Sequence, residues 1–448
     1  MRLSEQRGRW LSLLALGLAC ALFTAQFLSQ RSLWWDEVLL AFNLRERNLL
    51  ELTQALDYDQ AAPIGFLWLS KLIAAPFGYT DAALRLISLG AGYALLSLSA
   101  VLVWRIQASM TPLLVLMLGT NNHLIYYANE FKQYMLDAAL AMALLSLTLV
   151  ALQAPNRRTF LWLTSLGALA VWFSHPQLFV LAGCGLVLLW QARQQARPMM
   201  PILASGALWL LSFGIAYGLF YRTTSANPNL QNYWQNAFIE PSASAILRAF
   251  LELMSYISVF NLPFFMLCIF GLILGIYRLP RYVSLLLLAP VLLAAVASAL
   301  RQYPFEGRLI TFSLAPLCIV VVAGWWQVLQ ALAHPQRRLA SLLGLGLALL
   351  LLMRVQLPQT KTEVRPLLEA IRAQDANATL YTDAYASAIA DYYGYASLPQ
   401  SAWTEQASGW WLSTGTPNDA PALLQASAQR IVLDGAYAIA FSATSKSP

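Results

Sequence analysis

Residues 10–37 read WLSLLALGLACALFTAQFLSQRSLWWDE. From Trp10 to Leu28 the run carries no charge, and its length suits a helix crossing a hydrocarbon core about 30 Å thick. Arg31 ends the apolar phase, and two tryptophans and two carboxylates, Trp34-Trp35-Asp36-Glu37, follow at once. No small-residue cleavage site precedes Arg31 and many apolar runs follow, so the first run reads as a signal anchor rather than a cleaved signal. An acidic pair is thereby placed at the point where the chain leaves the membrane.

The apolar pattern recurs along most of the 448 residues, of which 59% are hydrophobic and only 11% charged. A soluble domain carries about 25% charged residues, so this chain lacks the polar material to cover a water-facing globule. It is expected to be an α-helical polytopic membrane protein with about eleven spans: 10–28, 82–104, 111–128, 134–153, 159–174, 177–190, 201–221, 256–277, 282–300, 309–330 and 339–357. Pro176 separates the fifth and sixth, because proline interrupts the helical ladder. Residues 63–77 are apolar but short and flanked by Pro63 and Pro76, which predicts a helix lying on the membrane surface.

Charge fixes the expected orientation. With Arg2, Arg7 and Arg9 cytoplasmic, the loops on the same side hold Arg105, Arg157, Arg158, Arg193, Arg197, Arg278, Arg281, Arg337 and Arg338 against the single acid Glu5. Cytoplasmic loops are the basic ones, and making 63–77 a span would reverse every later loop. The net charge of +7 is therefore a topology pattern spread between spans and not a nucleic-acid surface. Cys20, Cys184, Cys268 and Cys318 all lie in apolar runs without a CxxC, so they read as small buried residues.

Residues 1–357 are then a transmembrane domain with two long outer loops, 29–81 and 222–255. Residues 358–448 differ in kind: eight acids outnumber five basic residues, and the pattern predicts helices at 362–374 and 384–393 and strands at 378–382 and 430–434. This predicts a small extracytoplasmic α/β domain. Its tyrosines and tryptophans (Tyr381, Tyr385, Tyr392, Tyr393, Tyr395, Trp403, Trp410, Trp411) read first as an aromatic core.

Side chains able to do chemistry crowd the outer boundary. Adjacent residues on a helix point about 100° apart, so Asp36 and Glu37 would not share one task; one could serve as general base while the other holds a neighbouring loop or a metal. A solvated helix start is the plainer alternative. In Tyr126-Tyr127-Ala128-Asn129-Glu130-Phe131-Lys132-Gln133-Tyr134-Met135-Leu136-Asp137, the spacing of Glu130, Tyr134 and Asp137 predicts one helical face with Lys132 turned elsewhere. An interfacial belt competes with that reading. Arg85 and Arg308 each open a span, and an arginine fork at an interface suits a phosphate, with snorkelling as the alternative. His175 reads as a structural histidine before Pro176. No His, Cys and carboxylate set has metal-ligand spacing, and carboxylates alone do not specify an ion, so a divalent metal is left open. No Walker loop, GxSxG or GxGxxG precedes a helix.

In order and topology these pieces resemble the GT-C glycosyltransferases of the protein O-mannosyltransferase and aminoarabinose-transferase type, and more narrowly the family-39-like, RgtA/B/C/D-like membrane enzymes. The matching pieces are Leu33-Trp34-Trp35-Asp36-Glu37, Asp59-Gln60-Ala61-Ala62-Pro63-Ile64-Gly65, Ala83-Leu84-Arg85-Leu86, the Tyr126–Tyr134 stretch, Trp172-Phe173-Ser174-His175-Pro176 and Tyr303-Pro304-Phe305-Glu306-Gly307-Arg308-Leu309. The resemblance spans roughly residues 10–330. It implies an inverting transferase of a bacterial inner membrane, which moves a sugar from a polyprenyl-phosphate donor to a glycan, lipid or protein acceptor at the periplasmic face. By the same resemblance Asp36 matches the catalytic aspartate with Glu37 as its neighbour, and Arg85 the arginine opening the second span. Lys132 and Arg308 are the further candidates for the donor phosphate, and Asp59, Tyr127, Glu130, Tyr134 and His175 for substrate. The chain departs from the pattern at Ala61-Ala62-Pro63, where many relatives have His-Pro-Pro; Asp57 and Asp59 stand nearby. A transporter or flippase would concentrate ionisable residues near the midplane, and here the spans are nearly free of charge. A non-catalytic member of the same fold is the other alternative.

Overall fold

The computed structural model describes residues 2–259, 261–331, 335–402, 409–414, 430–433 and 436–441. Among these, six helical stretches are long and apolar enough to cross a membrane: Gly8–Leu28, Asp81–Gly119, Tyr134–Gln153, Met200–Ser225, Arg281–Ala299 and Gly307–Ala331. Two expected spans, 82–104 and 111–128, fall in the one stretch Asp81–Gly119, and the chain breaks there before the short helix Asn122–Tyr127. The remaining expected spans are also helical, at Arg157–Phe173, Gln177–Gln194, Leu262–Arg278 and Pro335–Met353, but fall short in length or apolarity. The predicted break before Pro176 is present. The expected start at residue 256 is not: one helix runs Ala243–Ser258 and the next begins at Leu262, where the Asn261 side chain caps the amide of Phe264 and Pro263 sits in the first turn. A first-turn proline loses no helical hydrogen bond, so the sequence places a helix start there.

Close packing joins Leu262–Arg278 to Leu314–Ala331. A Cβ on Gly275 would lie 1.9 Å from the carbonyl oxygen of Val320, and one on Gly324 would lie 2.0 Å from that of Gly271. Only glycine permits backbones this near, the device that membrane helices use in place of a hydrophobic driving force.

At one end of the bundle the loop 29–81 folds back as helix Trp35–Glu46 and the short apolar helix Ile64–Ala74. The latter leaves Leu72 exposed, with Phe77 also exposed just beyond it. The tail packs on this same end. Helix Val364–Gln374 leads to β1 (Leu380–Thr382), helix Ala384–Tyr392, β2 (Leu398–Pro399), β3 (Gly409–Thr414), β4 (Arg430–Leu433) and β5 (Ala436–Phe441). The sheet order is β2-β1-β3-β5-β4, with β1 parallel to β2 and β3, and β5 antiparallel to β3 and β4. Both predicted tail helices and parts of both predicted strands are found; Asp434 and Trp403 lie outside the described residues. Leu33, Val38, Leu40 and Phe66 of the first loop share one buried apolar core with Val364, Leu368, Ile389 and Leu412 of the tail. The tail domain is thus built onto the loop that carries Asp36.

Candidate active site

Trp34 is the N-cap of helix Trp35–Glu46, and its amide donates to Glu37 Oε2 at 3.2 Å. That backward reach is one half of a capping box, and it turns Glu37 inward. There the carboxylate is fully buried and accepts from Arg31 Nη1 (3.0 Å), Arg85 Nε (3.0 Å), Arg85 Nη2 (2.8 Å) and the Phe131 amide (2.6 Å). Arg85 also donates to the carbonyls of Arg31 (2.7 Å) and Ser32 (2.9 Å). Burial pushes the Glu37 carboxyl up, but the two guanidinium groups outweigh it and hold it down at about 2. Arg85 is therefore spent on this knot, which ties the first loop to helix Asp81–Gln107 and to residues 129–131.

Asp36 points from a different face of the helix. Its Oδ1 lies 3.1 Å from Lys132 Nζ and its Oδ2 3.0 Å from Arg308 Nη1. Oδ2 makes no aligned hydrogen bond, so Arg308 is in ionic contact but not in its preferred fork geometry. Burial raises the carboxyl, and Lys132 and Arg308 more than compensate, leaving Asp36 below the usual carboxylate range. Lys132 Nζ also donates to Gln60 Oε1 at 2.8 Å. The Arg308 guanidinium sits among the rings of Trp34, Tyr134 and Trp234 at 5.7, 5.7 and 5.6 Å.

Glu130 completes the group. It accepts from Trp34 Nε1 at 2.8 Å, Tyr126 Oη at 3.3 Å and Lys361 Nζ at 3.1 Å. Beside these residues lies a cavity of about 580 Å³, walled by Tyr126, Tyr127, Trp234, Tyr256, Arg308 and Lys361 among others.

The structure thus brings Asp36, Lys132, Glu130, Tyr134 and Arg308 together, with Tyr127 in the cavity wall. Glu37 and Arg85 stand behind them as framework. Asp59, next in the chain to Gln60, ties two loops, accepting from Asn227 Nδ2 (2.7 Å) and Asn229 Nδ2 (2.9 Å). None of the described contacts of His175 reaches the Asp36 group: its ring packs edge-on against Tyr221 at 4.6 Å, and burial pushes it down to about 4. The shared helical face predicted for Glu130, Tyr134 and Asp137 does not form, because helix Tyr134–Gln153 begins only at Tyr134 and Glu130 sits in the preceding bend. Sequence reading missed Gln60, Trp234 and Lys361 as members of the group. Among the described residues no set of three His, Cys, Asp or Glu side chains is placed to hold a metal ion.

The arrangement of the helical bundle and its small sheet is that of the GT-C fold. The solved structures of ArnT from Cupriavidus metallidurans carry that conclusion. With undecaprenyl phosphate bound, ArnT aligns with TM-score 0.57 and 14% identity over 96% of this chain and 97% of its own. In the apo state the TM-score is 0.51 at 13% identity, with the same coverage. The oligosaccharyltransferase of Archaeoglobus fulgidus, solved with zinc and sulfate, aligns with TM-score 0.50 and 12% identity over 89% of this chain and 68% of its own. No family model matches the chain, and no curated protein matches it by sequence.

Proposed function

We propose that the protein is an inverting glycosyltransferase that moves a sugar from a polyprenyl-phosphate donor to an acceptor hydroxyl, with Asp36 as general base, at the outer face of a bacterial inner membrane. The observation that carries this reading is the Asp36 carboxylate held between Lys132 and Arg308 beside an aromatic-walled cavity. An anion taken up there would share the charge of Arg308, a residue whose contact with Asp36 lacks hydrogen-bond alignment. That exchange relieves the electrostatic hold on Asp36 and raises its basicity at the moment of reaction.

The step is a single displacement. The acceptor oxygen bonds to the anomeric carbon as its proton passes to Asp36, and the sugar–phosphate C–O bond breaks with its electron pair leaving on the polyprenyl phosphate. Arg308 and Lys132 are preplaced to stabilise the charge developing on that leaving group. Arg85, which the resemblance offered as a phosphate ligand, is proposed instead as a positioning residue, since its donors are bonded to Glu37 and to backbone carbonyls. Asp59 is proposed to hold the loop 222–255, which brings Trp234 to Arg308.

The deciding experiment is transfer from a radiolabelled polyprenyl-phosphate sugar to membrane acceptors by the wild type and Asp36→Asn. Loss of transfer with normal expression is expected; transfer at the wild-type rate rejects the assignment of the base. Cysteine labelling at residues 49 and 50 is expected from the extracytoplasmic side only.

A further inference from the structure

We infer that Lys361, which the segment between the last long helix and the tail domain carries into the cavity, is a ligand of the donor's phosphate. This rests on the reading above. The segment has no regular structure between Met353 and Val364, yet it is fastened along its length. The Gln359 amide donates to Gln26 Oε1 (2.8 Å) and Gln26 Nε2 returns a bond to the Gln359 carbonyl (2.7 Å). Gln359 Nε2 reaches Asn122 Oδ1 (3.0 Å). Glu363 Oε2 accepts from the Ser32 amide (3.2 Å) and hydroxyl (2.8 Å), and Arg365 pairs with Asp81 (2.7 Å). A strap tied at Gln26, Ser32, Asn122 and, just beyond it, Asp81 is a fixed wall, and Lys361 projects from it.

The Lys361 ammonium lies 3.7 Å from the Trp34 ring centre and 4.6 Å from that of Tyr126. Glu130 Oε1 is its acceptor, and an ammonium has three donors. Its side chain is 35% exposed, whereas that of Lys132 is 4% exposed. Lys361 and Arg308 are the lysine and the arginine of the cavity wall, which also holds His123 and Glu306; Lys132 is turned to Asp36 and Gln60.

Charge points the same way. Lys132, Arg308 and Lys361 stand against the carboxylates Asp36 and Glu130 and the wall residue Glu306, three charges of each sign. Without Lys361 the carboxylates outnumber the cations and the cavity repels an anion. The remaining donors of the ammonium suit a phosphate oxygen at the cavity face.

The test uses the full chain in lipid nanodiscs and measures binding of undecaprenyl phosphate and of undecaprenol to the wild type, Lys361→Met and Lys361→Arg. The expected result is that Lys361→Met weakens undecaprenyl phosphate binding about tenfold or more and leaves undecaprenol binding unchanged, while Lys361→Arg stays within about threefold of wild type. In transfer assays Lys361→Met is expected to raise the donor KM and leave kcat nearly unchanged. Equal binding of the phosphate lipid by the wild type and Lys361→Met removes Lys361 from the site and leaves the transferase reading standing. Equal weakening for both lipids shows that only the shape of the wall has changed and overturns the assignment. A wild type that does not prefer undecaprenyl phosphate to undecaprenol overturns the donor reading together with it.

Discussion

Asp36 and Glu37 are neighbours in sequence, yet they belong to two unlike regions on different faces of one helix. Around Glu37 the partners are backbone and guanidinium groups at 2.6–3.2 Å with no access to solvent. Around Asp36 the partners are side-chain cations, one carboxylate oxygen lacks an aligned donor, and aromatic rings line an open cavity. A charge whose geometry is fully satisfied resists change and serves structure. A charge held mainly by ionic contact can exchange its partner for a substrate, and the low-dielectric surroundings strengthen whatever replaces it.

The comparison can be broken at either side. Replacing Asp36 with Asn is expected to cut the transfer rate by about 10²–10⁴-fold, the range for losing a general base, with little change in melting temperature. A large fall in melting temperature would place Asp36 with the framework. Glu37→Gln is expected to do the reverse. It leaves Arg31 and Arg85 buried against a neutral group, which costs about 3–5 kcal/mol, read as lower folded yield and earlier thermal unfolding in detergent. The same carboxylate gives a pH signature. Its folded pKa of about 2 lies below its ordinary value of 4.5, so its contribution is complete above 4.5 and is lost as pH falls from there toward 2. Thermal unfolding followed across that window should show the loss in the wild type and not in Glu37→Gln.

Smaller effects sharpen the contrast. Arg308→Lys keeps a charge beside Asp36 but loses the planar fork and its ring contacts, and is expected to raise the donor KM by about tenfold in transfer assays. At the far end of the scale, Asp59→Ala removes two exposed hydrogen bonds to Asn227 and Asn229. It is expected to shift stability by about 1 kcal/mol or less and the transfer rate by less than about threefold, since it acts only through the loop that carries Trp234.

Much of this was legible in the sequence where a local rule sufficed. Length and apolarity located most of the helices but not the breaks after Gly119 and Ser258, the 100° step separated Asp36 from Glu37, and the turn chemistry of the tail located Val364–Gln374 and Ala384–Tyr392. The helical spacing of Glu130, Tyr134 and Asp137 misled because a periodic pattern does not say where a helix starts, and this one begins after the bend that aims Glu130 at Trp34. Arg85 reads as a phosphate ligand from its fork, and a sequence does not display the partners, Glu37 and two carbonyls, that its donors meet. Lys361 was invisible for a different reason: its acceptor is 231 residues away, and within the tail it is one basic residue among acids. Strands β2, β3 and β5 were also missed, since their short runs take strand form by pairing with β1, β4 and one another.

The shared core of the first loop and the tail has a consequence for biogenesis. Leu33, Val38 and Leu40 leave the ribosome early, but Val364, Ile389 and Leu412, which bury them, are made more than 300 residues later. For most of translation the early segment has to wait with its apolar face uncovered, and the end of the molecule that carries Asp36 sets only when the last strands close over it. A chain halted before residue 358 would therefore keep its spans and leave that face open to aggregation or quality control.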